Sequence, residues 1–301
     1  VIDAVYREHG RFVWSLCYRM TGSASDADDL LQETFARALA SPPRDTSAPW
    51  RPWLVRVAVN LSRDRLRRRK RSPYVGPWLP ALIETGEQAA DQPDPEHRYG
   101  LLESVTFAFL LACEALTPRQ RAVLLLRDVL DYAVDETARA LGMSAANVKT
   151  THHRARAAME AYDAARKRPT RALQERTRAA IERFTAALSS GDLAQVEAVL
   201  SPSAITINDT GGEYRAALRV VEGSSNVARL YLGLLKKGGP AIFGMRTLNG
   251  LPALVAQIVD PPPRIAPRVV LKCELGPDDR IEAIHLVLAS AKLQAIAAAT
   301  A

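Results

Sequence analysis

Residues 53–71, WLVRVAVNLSRDRLRRRKR, constrain this chain more than any other stretch. An aromatic and apolar run passes directly into a basic ladder. At helical spacing Val55, Val57, Ala58, Leu61 and Leu66 share one face, which needs a core to pack on. Arg56, Arg63, Arg67 and the block Arg68, Arg69, Lys70, Arg71 lie around that face or beyond it. Asn60 and Asp64 sit one turn apart among the arginines. Such a helix lays charge against phosphates and holds an amide near base edges. The plainer alternative is a solvated helix end, and the rest of the chain weighs against it.

The chain has 301 residues, room for two or three domains with proper cores. Its net charge of +7 favours a polyanionic partner. Residues 1–70 hold 13 basic and 8 acidic groups, whereas residues 71–100 hold 2 and 5. A basic module therefore runs into an acidic connector. Cys17, Cys113 and Cys273 are far apart and form no CxxC, which suits buried thiols in a reducing compartment. The five histidines have no metal-ligand spacing, and no cofactor is expected. There is no apolar run of membrane-spanning length and no opening secretion signal, so a cytosolic protein without membrane association is expected.

Three parts follow along the chain: helices over 1–71, a Pro-, Gly- and acid-rich linker over 72–100, and helices again over 101–168. Ser25 or Asp26 is placed to cap a helix through residue 39, with Leu31, Phe35, Ala38 and Leu39 as its apolar stripe. Asp28, Asp29, Gln32 and Glu33 give that helix an acidic and amide surface, suited either to a basic partner or to the helix dipole alone. Four prolines in residues 41–54 predict a loop there, with Trp50 and Trp53 available for the core or for stacking on unpaired bases; Trp53 is the expected core residue.

Residues 116–159 carry helix-turn-helix punctuation. Thr117 caps and Pro118 opens a helix; Val134, Thr137, Ala138 and Leu141 make a short scaffold helix; Gly142 supplies the turn and Ser144 the next cap. Val148 and the alanines then pack inward. Lys149, Thr150, His152, His153, Arg154 and Arg156 are left to face outward, as a recognition helix requires in the major groove.

Together these residues resemble a bacterial sigma factor of the extracytoplasmic-function class. DADDLLQETFARAL, residues 26–39, resembles the acidic helix of sigma region 2, which in the family binds the clamp helices of the β′ subunit of RNA polymerase. Residues 53–71 resemble the helix for the −10 promoter element, including Trp53, Asn60, Asp64 and the Arg67–Arg68 pair. Residues 116–159 resemble region 4, which reads the −35 element and contacts the β flap. The resemblance implies core RNA polymerase and promoter DNA as partners. It puts Asn60 and Arg63 near bases, Arg67, Arg68 and Arg69 at phosphates, and Lys149, Thr150, His153, Arg154 and Arg156 at the −35 element. Opening DNA also needs a pocket for a base that leaves the stack, which the family builds from region 2.

The tail, residues 171–301, resembles a SnoaL-like domain of the nuclear transport factor 2-like superfamily, an α+β cone. The expected fold is thus multi-domain: two all-α modules, then that cone. Related sigma factors share a Trp-Leu-Pro linker motif, here Trp78, Leu79 and Pro80, followed by Ala81, Leu82 and Ile83 in place of the common continuation. A glycine-rich motif survives as Asp209, Gly211 and Gly212, without its terminal lysine, and a second signature only as Ala291-Lys292-Leu293. An amphipathic helix over 173–188 with Leu173, Ile181, Phe184 and Leu188 inward precedes alternating runs at 215–222, 253–259, 268–275 and 281–289, which suit a curved antiparallel sheet. Asp209, Tyr214, Tyr231 and His285 are its candidate pocket residues, but no pair has diagnostic catalytic spacing. The favoured reading is an intramolecular regulator that contacts regions 2 and 4 and is not an enzyme; tethering gives even a weak contact a high effective concentration. A small-ligand sensor, a SnoaL-like enzyme and a free-standing helix-turn-helix regulator are the alternatives.

Overall fold

The computed structural model describes residues 2–86 and 99–296. The chain divides into two compact units, Val1–Pro73 with Gln92–Lys167, and Tyr74–Asp91 with Arg168–Ala301. The acidic part of the linker, residues 87–98, lies outside the described residues.

The first unit opens with α1 (Ile2–Thr21), α2 (Ala24–Ala40) and α3 (Trp50–Arg71), which pack on one another. Gly22, at a φ of +66°, turns the chain straight from α1 into α2. Ser23 is therefore the cap, accepting from the Asp26 N–H at 3.2 Å, two residues before the earliest expected position. Leu30, Thr34, Phe35 and Ala38 are the buried stripe of α2; Leu31 is half-buried and Leu39 is 65% exposed, so the expected stripe ran one residue too far round.

The prolines of the 41–54 loop exclude helix only as far as Pro49. Pro52 lies in the first turn of α3, where its missing N–H has no intrahelical acceptor to lose. Because the helix starts at Trp50, Trp50 is the buried tryptophan and Trp53 is half-buried, the reverse of expectation. Leu54, Val55, Ala58, Val59, Ser62 and Leu66 form the buried face, with Val57 and Leu61 at its margin.

Thr106 caps α4 (Phe107–Ala112), and Thr117 caps α5 (Pro118–Leu124) in a reciprocal box with Gln120. A π-helical turn, Leu125–Val129, extends α5. Then come α6 (Val134–Leu141), Gly142 at a φ of +61°, α7 (Ala145–Ala158) capped by Ser144, and α8 (Glu160–Ala164). Caps, turn and the inward Val148 match the sequence reading.

A buried ionic joint unites these helices with the first three. Arg121, 2% exposed, donates to the Met20 carbonyl at 2.9 Å, to the Cys113 carbonyl at 3.1 Å and to Glu114 at 2.6 Å. Arg69 donates to Glu114 at 2.7 Å and to the Thr21 carbonyl at 2.6 Å. Arg19 reaches Ser104 Oγ and the Leu101 carbonyl. Each buried charge has a partner, which burial demands.

The second unit contains α9 (Arg171–Ser190), α10 (Leu193–Ala198), β1 (Leu200–Asp209), β2 (Val221–Glu222), α11 (Ser224–Gly238), β3 (Ala241–Leu248), β4 (Leu251–Ile258), β5 (Arg268–Leu275) and β6 (Ile281–Val287). The strand order is β2-β1-β6-β5-β4-β3. β1 runs parallel to β6 and the other pairs are antiparallel, so the sheet is mixed rather than antiparallel throughout. The parallel pair is possible because α11 and four strands lie between its members, giving the long crossover that parallel strands need. Neither α11 nor β3 was expected, and residues 215–222 form a strand only at their end. Ile181 and Phe184 of α9, Val227 and Tyr231 of α11 and Leu271, Ile284 and Leu286 of the sheet share the core.

Part of the linker belongs to this unit. Leu79, Ala81 and Leu82 are fully buried. Ile83 exchanges hydrogen bonds with Asn249, and the Thr85 N–H donates to the Thr247 carbonyl at 3.2 Å. The linker is thus built into the tail rather than left as a spacer.

Candidate functional site

On α3, the Asn60 side-chain carbonyl accepts from Arg63 at 3.2 Å, and among the described residues its amide NH2 donates to none. Arg63 is half-buried; burial and then the neighbouring charges of Arg67 and Arg119 pull its pKa down. Its Nε is buried and makes no hydrogen bond. Arg67, paired with Asp64 at 3.2 Å, and Arg68 are exposed. Arg69 departs from the phosphate-facing position given to it: its guanidinium is taken up by Glu114 and the Thr21 carbonyl. The last turn of a helix bundle faces whatever packs beside it, and here that is α5 and the segment before it.

On α7, Lys149, Thr150, His153 and Arg154 are exposed. His152 is half-buried and is not an outward residue, since it bonds to the buried Asp128 at 2.9 Å. Arg156 grips the same carboxylate at 2.6 and 3.2 Å. Burial alone would raise the pKa of Asp128, but His152 and Arg156 hold it below the usual carboxylate range. Asp128 thereby fixes the recognition helix to the π-helical turn. An acid inside LLLRDVL was the available sign of this role.

On α2, Asp28, Asp29, Gln32 and Glu33 are all exposed. Asp28 accepts from Trp14 Nε1 at 2.6 Å, and Arg65 of α3 pairs with Asp26 at 2.6 Å and Asp29 at 3.2 Å. Arg65 was not singled out in the sequence, because it looks like one more member of the ladder.

In the second unit, Asp209 closes β1 fully buried. It accepts from Tyr74 Oη at 2.5 Å, from the Leu79 N–H at 2.7 Å and from Lys292 Nζ. Lys292 also donates to the Leu79 carbonyl at 2.5 Å, and its Nζ stands 4.8 and 4.4 Å from the ring centres of Tyr74 and Trp78. Pro80 is buried beside Leu79. Gly211 and Gly212 have φ of +58° and +84°, and a Cβ on Gly212 would lie 3.1 Å from that of Val75. Those glycines allow the turn after β1 and the close approach of the linker. The signature that survived only as Ala291-Lys292-Leu293 thus still delivers its lysine to Asp209.

The four tail candidates do not converge. Tyr214 bonds to Ser290, Tyr231 to Thr206, and His285 stands 3.6 Å from Glu274. Among the described residues no His, Cys, Asp or Glu cluster could hold a metal, and no helix is long and apolar enough to cross a membrane.

A basic helix and a helix-turn-helix in one unit are elements of a nucleic-acid-binding protein. The Sigma-70 region 2 model matches residues 5–72 and the Sigma-70, region 4 model residues 106–159. The ECF RNA polymerase sigma factor SigJ of Mycobacterium tuberculosis is 35% identical over 245 residues, 80% of this chain and 75% of that protein. The probable ECF sigma factor SigI of the same species is 30% identical over 268 residues, 84% and 88%. The crystal structure of M. tuberculosis SigJ superposes with a TM-score of 0.72 at 27% identity, covering 97% of this chain and 98% of that one. The chain belongs to the extracytoplasmic-function (ECF) sigma factors of RNA polymerase, transcription regulators, and its fused helix-plus-sheet tail is SnoaL-like.

Proposed function

We propose that this sigma factor directs core RNA polymerase to promoters with −10 and −35 elements, and that its tail regulates it in cis through the linker rather than by catalysis. The exposed acids of α2 meet the polymerase clamp. Asn60 and Arg63 lie at bases of the opened −10 element, with Arg67 and Arg68 at phosphates. Lys149, Thr150, His153 and Arg154 face the −35 element, and the protein works in the cytoplasm. The observation that carries the regulatory part is the clasp of Asp209 and Lys292 on the Leu79 backbone.

Residues 72–100 are the covalent link between regions 2 and 4. Two promoter elements separated along a duplex require two modules held apart, whereas here Arg69, Glu114 and Arg121 hold them together. A tail that grips the linker shortens the free chain between the modules and favours the joined state. Tethering makes the grip effectively intramolecular.

Run-off transcription with purified core polymerase and the gene's upstream DNA tests this, comparing the full chain, a chain ending at Arg168 and the Asp209→Asn full chain. Transcripts from the full chain, changed in yield in both other proteins, support the proposal. Equal yields from all three refute regulation by the tail. Binding to that DNA without polymerase, and no transcript, would instead indicate a free-standing regulator.

A further inference from the structure

The concave face of the tail sheet is incompletely filled. Phe243, Ala256 and Val269 form one cross-strand row over β3, β4 and β5, and Leu254, Leu271 and Leu286 the next row over β4, β5 and β6. Between these rows and Tyr231 and Leu234 of α11 lies a cavity of 250 Å³. Its cause is legible in side-chain size. Ala256 occupies the middle of the first row, where a Leu or Val would fill the space. The α11 terminus at the cavity is Gly238-Gly239, and a Cβ at either glycine would meet nothing within 4 Å.

The lining is apolar except at two places. Tyr231 Oη is already paired with Thr206 Oγ1 at 3.0 Å, so the interior offers no uncommitted donor there. Arg215 is the one charged residue of the lining. Its side chain is exposed and makes no ion pair with a described residue, while its backbone N–H is fixed by the Arg264 carbonyl at 2.9 Å. The cavity therefore has an apolar interior and a cation in solvent at its mouth.

The geometry points to a binding site for a small apolar acid, its hydrocarbon body in the cavity and its carboxylate on Arg215. An apolar cavity of about 150 Å³ stays dry and admits benzene, so this one suits a body of about ten carbons. Leu235 and Phe243 of the lining are 45% and 53% exposed, and a hydrocarbon body seated there takes their apolar surface out of water. The carboxylate stays hydrated at the rim, where a guanidinium can bind it through two N–H groups. This site is independent of the regulatory reading above.

Calorimetric titration of the full chain with 2-naphthoic acid and decanoic acid, each against its neutral amide, tests the site. One equivalent of at least one acid should bind, about tenfold tighter than its amide, and raise the melting temperature. Ala256→Leu should abolish binding by filling the cavity. Arg215→Gln, an exposed change that leaves the core alone, should bring the acid to the affinity of the amide. Absence of binding by both acids, equal affinity for acid and amide, or undiminished binding in Ala256→Leu would each overturn the proposal. Should Ala256→Leu fail to fold, the Arg215→Gln comparison decides alone.

Discussion

The Leu79 backbone N–H donates to the buried carboxylate of Asp209 at 2.7 Å, across 130 residues of chain. A backbone donor is indifferent to side-chain identity, so this bond survives where the residues after Pro80 depart from the motif of related sigma factors. What it requires is an acceptor held in place, and Tyr74 and Lys292 hold it.

Removing that acceptor should destabilise the second unit. Asp209→Ala leaves the Lys292 ammonium buried without its counter-charge, a loss of about 3 kcal/mol. Asp209→Leu combined with Lys292→Met should recover part of it, because both charges leave together. Chemical denaturation midpoints of the three proteins check this; equal midpoints for the single and double variants would contradict the clasp.

The joint in the first unit should show the same asymmetry. Glu114→Ala strands Arg121, which is almost fully buried, and should cost about 3 kcal/mol. Arg69→Ala leaves Glu114 still paired with Arg121 and should cost about 1 kcal/mol. Thermal unfolding of both variants measures the difference, and a larger loss for Arg69→Ala would reverse the assigned roles.

The recognition helix separates binding from stability. Arg154 is exposed and makes no bond to a described residue, so Arg154→Ala should weaken promoter binding and leave the melting temperature unchanged. Arg156→Ala should lower both, because it deprives the buried Asp128 of a partner and so loosens the helix that carries Arg154. Promoter binding by polymerase holoenzyme at two salt concentrations, beside calorimetric melting, distinguishes them. Intact promoter binding in Arg154→Ala would remove it from the interface.

Charge reversal at Asp28 and Asp29 should weaken association with core polymerase more than it weakens the fold. Both carboxylates are exposed, and surface pairs such as Asp29 with Arg65 contribute about 1 kcal/mol or less. Competition for core polymerase against the unaltered protein gives the reading; undiminished competition would exclude these acids from the contact.

Lys272 should make stability rise with pH between about 7 and about 9, above which the buried thiols of Cys17, Cys113 and Cys273, whose pKa burial raises from 9.0, oppose it. Burial lowers the Lys272 pKa from 10.5 to about 7. In that interval the unfolded chain binds a proton that the folded chain does not, so raising pH favours the fold. Burial also lowers the His285 pKa from 6.5, so a further loss of stability is expected as pH falls through 6.5 and below. Lys272→Met should flatten the alkaline slope and keep only the part of the acid one that burial sets, because the Lys272 charge also lowers the His285 pKa, as denaturation at several pH values would show. An unchanged alkaline slope would mean that Lys272 stays charged in the fold, held by the Leu248 and Leu251 carbonyls.

The helix-turn-helix was readable because its determinants are local. Thr117, Pro118, Gly142 and Ser144 act within a few residues of themselves, and their caps and turn stand where expected. The error at Trp50 and Trp53 has a local cause too. Pro52 has the look of a helix breaker in sequence, yet a first-turn proline costs nothing. The sheet was less readable. Edge strand β3 has no fully buried residue before Leu248, and β6 is buried almost throughout, so neither alternates cleanly. Arg65, Arg69 and Arg156 look like any other arginines in a basic run; only their neighbours in space distinguish them.

Sequence by itself determined the helix-turn-helix with its caps, the family and most of the outward acids and bases, because periodicity and capping operate over one or two turns. Tertiary structure decided which charges remain available. Glu114 claims Arg69, Asp128 claims Arg156, and Asp209 claims a lysine 83 residues away. Burying an ionised group is tolerable only beside its counter-charge, and that pairing is fixed by the fold, not by distance along the chain.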